Sequence, residues 1–64
     1  MIHTTLGDLI IDDGGDAGIV SLIETDKEGT LYFVLWTSGG LTGYTTAHKP
    51  NQIMRWTKNV RLTT

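Results

Sequence analysis

The residues best equipped for chemistry stand close together in Asp12-Asp13-Gly14-Gly15-Asp16, which sets three carboxylates within five positions. Calcium and similar hard cations take about six to eight oxygen ligands, so carboxylates and loop carbonyls are the donors such an ion would need. The stretch lacks the roughly twelve-residue spacing and the closing glutamate of an EF-hand, and it offers fewer ligands than one site demands. It is expected to be a hydrated acidic turn, with no metal site and no cofactor. His3 and His48 are the side chains that ordinarily titrate near neutrality. Nucleophilic catalysis needs such a base hydrogen-bonded to a hydroxyl or thiol and held by a third group. Thr45, Thr46 and His48 are neighbours in sequence, which does not by itself activate a hydroxyl, and no cysteine is present. No catalytic residue is assigned, and the chain is expected to be non-enzymatic. A catalytic version would need a cleft shared between subunits and lined by Tyr44, Thr46 and His48.

The charges divide unequally along the chain. All seven acids lie in the first 28 residues, where Lys27 alone opposes them, giving −6; the last 36 residues carry Lys49, Arg55, Lys58 and Arg61 and no acid, giving +4 and the formal net charge of −2. The simplest outcome is that the two halves meet and neutralise each other in the fold. The alternative is a polarised molecule that steers a partner or lines up with copies of itself. Lys49, Arg55, Lys58 and Arg61 amount to a small phosphate-binding patch, with Tyr44 or Trp56 placed to stack on a base.

The elements that must position these groups read as β structure almost throughout. Leu6 to Asp12 forms a short strand with Leu9 and Ile11 on one face and Ile10 on the other. Asp13 to Ala17 turns the chain, Gly18 to Thr25 is a second strand, and Asp26-Lys27-Glu28-Gly29 is a hairpin turn with Gly29 at its left-handed position. Thr30 to Thr37 is the strongest strand, apolar on both faces: Tyr32, Val34 and Trp36 against Leu31, Phe33 and Leu35. Ser38-Gly39-Gly40 reverses the chain into a fourth strand, Leu41 to Ala47, where Gly43 marks a bulge, a sharp bend or a close approach to another strand. His48 to Ile53 has the look of a single 3₁₀ turn with Pro50 near its start. Met54 to Thr57 is a fifth strand, and residues 58–64 form an extra edge strand or tail. No stretch shows the apolar stripe of a helix long enough to pack a face. The whole chain, 1–64, is one all-β domain: a five-stranded small barrel with one 3₁₀ turn before its last core strand.

That order of elements resembles an SH3-like small barrel. The resemblance rests on Gly7-Asp8-Leu9-Ile10-Ile11, Gly18-Ile19-Val20, Tyr32-Phe33-Val34-Leu35-Trp36 and the Gly39-Gly40 turn, and it covers about residues 6–57. The opening through Val20 is also similar to the KOW motif, with Gly18 in the place of the motif's turn glycine. Such a resemblance implies contact with RNA or protein through loops and strand edges. The carboxylates of Asp12, Asp13 and Asp16 depart from the neutral or basic loop of a nucleic-acid binder and count against RNA binding there.

The two-faced third strand decides the functional expectation. If Tyr32, Val34 and Trp36 face the interior, Leu31, Phe33 and Leu35 face outward, and so large an apolar surface calls for cover. Cover can come from a second subunit, from Val60-Arg61-Leu62 folding back, or from a partner protein. A domain of 64 residues buries only about 60% of its unfolded surface, which favours the subunit. The expected function is a protein-interaction or structural accessory module, oligomeric, with Leu31, Phe33, Leu35, Tyr44 and Trp56 as its interaction surface. The alternative is a nucleic-acid-associated module acting through the basic second half. The apolar runs fall far short of the roughly 20 residues a membrane span needs, and the opening MIHTTLGDLII lacks a basic leader. A cytoplasmic protein without membrane contact is expected.

Overall fold

The computed structural model describes residues 4–61, with side chains described as far as residue 57. Alternating apolar residues form β1 (Leu9–Ile11), β2 (Ala17–Asp26) and β3 (Gly29–Trp36), followed by β4 (Thr45–His48) and the helix α1 (Pro50–Arg61). The strands make one antiparallel meander in the order β1-β2-β3-β4. Asp12 shapes the acidic turn between β1 and β2: its Oδ1 accepts the backbone N–H of Gly14 at 3.0 Å and of Asp16 at 2.9 Å. The side chain thus replaces the backbone partners that the turn removes. The β2–β3 hairpin closes through Lys27 and Glu28, and the Glu28 N–H donates to Asp26 Oδ1 at 2.8 Å.

Register sorts the side chains onto two faces. Ile10, Gly18 and Trp36 lie in one cross-strand row; Val20, Val34 and Thr46 form the next, and Ile23, Tyr32 and His48 a third. α1 packs over this inner face, mainly against β1, and Ile53 and Trp56 join Ile10, Val20, Val34 and Trp36 in the core. Gly18 is buried within β2 and owes its identity to close packing: a Cβ there would lie 2.5 Å from Val34 Cγ1 and 3.0 Å from Trp36 Cε3. It is therefore a strand residue packed under the indole, within the second strand where it was expected.

The sheet is open and four-stranded, where a closed five-stranded barrel was expected. Met54 to Thr57 belongs to α1, and so do Val60 and Arg61, so neither a fifth strand nor an edge strand beginning at residue 58 forms; residues 62–64 lie outside the described part. The reason is spacing. A strand would place Met54 and Trp56 on one face, yet Met54 is 60% exposed and Trp56 only 7%. Ile53 and Trp56, one helical turn apart, are the pair that meets the sheet. Pro50 opens this α-helix at a position where its missing N–H costs nothing, and the expected 3₁₀ turn is absorbed into it. β4 is also shorter than expected, because Gly40 to Gly43 forms a turn in which Tyr44 N–H donates to Leu41 O at 2.8 Å. Gly43 has φ +86° and is a turn residue with no bulge in a strand.

Candidate interaction surface

The opposite face of the sheet carries the other half of the alternation. Leu9, Ile19, Leu35 and Thr45 form one row, Leu22, Phe33 and Ala47 a second, Ile11 and Ala17 a third, and Glu24 pairs with Leu31 toward the hairpin. A β-bulge between Val20 and Leu22 makes this possible. Strict alternation would carry Leu22 to the inner face with Val20; the extra residue, Ser21, resets the phase so that Leu22 faces outward and Ile23 inward. The Ser21 hydroxyl donates to Phe33 O at 3.3 Å, tying the bulge to β3.

Leu9, Ile19, Leu22, Leu31 and Leu35 are each 37% to 47% exposed, and Phe33 is half-buried among them. Of the residues paired across this outer face, only Glu24 and Asp26, both at the hairpin end, carry charge. α1 lies on the inner face, and no described element lies over the outer one. The outward placement expected for Leu31, Phe33 and Leu35 is thus observed, and Leu9, Ile19 and Leu22 extend the surface across two more strands. Sequence reasoning missed Leu22 because its outward direction depends on the bulge.

The remaining expected surface residues separate from this patch. Trp56 is a core side chain: its ring lies 5.6 Å from that of Trp36 and 4.6 Å from that of His48, edge to face in both cases. It is a correction to the expected interaction surface and to the expected base-stacking platform. Tyr44 is 66% exposed at the end of the β3–β4 turn, outside that ring cluster.

Lys49 and Arg55, the basic residues of the second half whose side chains are described, meet the acidic half. Arg55 pairs with Asp13 at 3.0 Å on the surface, a contact of about 0–1 kcal/mol. Lys49 borders one groove with Glu24, Asp26 and Glu28 and another with Asp13 and Arg55. Lys58 and Arg61 lie along α1, and their side chains are outside the described residues, as is His3. The carboxylates of the acidic turn are engaged separately: Asp12 caps its own loop and Asp13 holds Arg55. Among the described residues no group of three or more His, Asp or Glu side chains is placed to hold a metal ion.

A polar relay crosses the inner face. Trp36 Nε1–H donates to Thr46 Oγ1 at 2.8 Å, Thr46 Oγ1 lies 2.5 Å from His48 Nε2, and His48 Nδ1 lies 2.7 Å from Gln52 Oε1. With the Gln52 carbonyl accepting, His48 carries its proton on Nδ1, and Nε2 accepts from the Thr46 hydroxyl. The order of groups is that of a hydroxyl, a base and its orienter. Here, however, the hydroxyl is held between an indole N–H and an imidazole, and each of these polar groups has its partner. Its evident work is to join β3, β4 and α1.

No protein-family model matches the chain, and no curated protein or solved structure is significantly similar to it. Among the described residues no helix is long and apolar enough to cross a membrane.

Proposed function

We propose that this chain is a non-enzymatic protein-interaction module that works through the outer face of its sheet. The observation that carries the reading is the five aliphatic side chains, 37% to 47% exposed, on a face that no described element covers. An antiparallel sheet with one solvated face ordinarily alternates apolar and polar residues, whereas β2 from Ala17 to Ile23 and β3 from Leu31 to Trp36 carry apolar residues on both sides. Contiguous apolar surface of this kind marks an interaction site.

Photo-crosslinking in cells tests the reading. A benzophenone analogue of phenylalanine replacing Phe33 should yield protein adducts, while the same group replacing Met54, on the exposed side of α1, should yield few. Equal yields at the two positions, or none at Phe33, would contradict it.

A further inference from the structure

We propose that the occupant of the outer face is a second copy of this chain, packed sheet to sheet about a twofold axis; this rests on the docking reading above and names its partner. Composition is the first support. Transient interfaces are about as polar as the rest of a protein surface, whereas homodimer interfaces are more apolar and depleted of charge. The rows from Ile11–Ala17 to Leu22–Phe33–Ala47 contain no charged residue. A face of this kind is complementary to itself, as an isologous contact requires.

Area is the second. The four strands hold 3, 10, 8 and 4 residues, which at about 3.3 Å rise and about 4.8 Å spacing make a face of about 400 Å². Two such faces bury about 800 Å² in all, the size of a weak interface that forms at high concentration. The chain measures only 17 Å along its thinnest axis, and a second sheet packed at about 10 Å supplies the layer missing from its outer side.

The charges select the orientation. Glu24 and Asp26 lie at the hairpin end of the outer face. A twofold axis along the strands would bring these four carboxylates of a dimer to one end, where like charges repel. An axis across the strands sends the two hairpins to opposite ends and sets Phe33 over Leu35 of the other copy and Leu22 over its Ile19.

Sedimentation equilibrium and a spin-label distance test this together. The wild type should have twice the 7.0 kDa chain mass. Leu22→Glu should raise the dissociation constant about 30-fold or more, as for a central interface residue, with the circular dichroism spectrum retained; Met54→Glu should leave it unchanged. Nitroxides attached through Lys27→Cys should lie at least as far apart as the chain's own 32 Å long dimension. A folded wild type still monomeric at about 1 mM would overturn the second copy. If Phe33 then crosslinks to a different protein, the docking reading stands; if Phe33 yields no selective adduct, that reading falls as well. A dimer that Leu22→Glu leaves intact, or labels much closer than 32 Å, would overturn this arrangement.

Discussion

Thr46 and Thr45 are adjacent and chemically identical, yet the sheet gives them opposite tasks. The Thr46 hydroxyl accepts from Trp36 Nε1 and meets His48 Nε2, while Thr45 stands in the outer row with Leu9, Ile19 and Leu35. Thr46→Val keeps the shape but strands the indole N–H and one imidazole nitrogen in a part-buried site. Leaving such groups unpaired costs about 1–3 kcal/mol. Thr45→Val, on the exposed side, should stay within about 0.5 kcal/mol of wild type. Urea unfolding of the two variants measures the difference; equal midpoints would show that the relay contributes nothing to holding β3, β4 and α1 together.

Among the elements, α1 determines which face of the sheet is closed. Ile53 is fully buried and Met54, its neighbour, is exposed. Ile53→Ala should cost about 2–5 kcal/mol and Met54→Ala within about 0.5 kcal/mol, read as shifts in the urea midpoint. A strand at Met54 to Thr57 would reverse this order. The sequence does contain the helix signal: Ile53, Trp56 and Val60 are spaced by three and four, and Pro50 stands at the start. Over only four residues, though, Met54-Arg55-Trp56-Thr57 alternates well enough to pass for a strand, and that local pattern hid the longer period. The first three strands and their turns were legible because alternation, glycines and Asp side chains all agreed. The outward placement of Leu31, Phe33 and Leu35 was legible for the same reason, since β3 has no interruption. Leu22 was not, because one extra residue at Ser21 shifts the phase and nothing in local composition announces it. Trp56 was misplaced because an aromatic residue suits a core and a binding surface equally well until its element is known.

For the whole molecule, the two faces of the sheet set the balance. The inner face gathers Ile10, Val20, Val34, Trp36, Ile53 and Trp56 into one core, and the opposed charges of the two halves meet at its margin through Asp13 and Arg55. The outer face leaves five aliphatic side chains 37% to 47% exposed. Full burial of one such side chain is worth about 1.5–3 kcal/mol, so covering what these five still expose is worth about 3–6 kcal/mol per chain. That is a large share of the roughly 5–15 kcal/mol by which whole domains are stable. Covering this face would therefore add appreciably to the persistence of the fold. The most direct measurement is methyl NMR with a soluble gadolinium chelate, following Leu9, Ile19, Leu22, Leu31 and Leu35 over a dilution series. At high concentration these methyls should be shielded like those of Ile10 and Val20 and should lose that shielding on dilution, while Met54 stays accessible throughout. Outer-face methyls as accessible as Met54 at every concentration would contradict a face buried against a second copy.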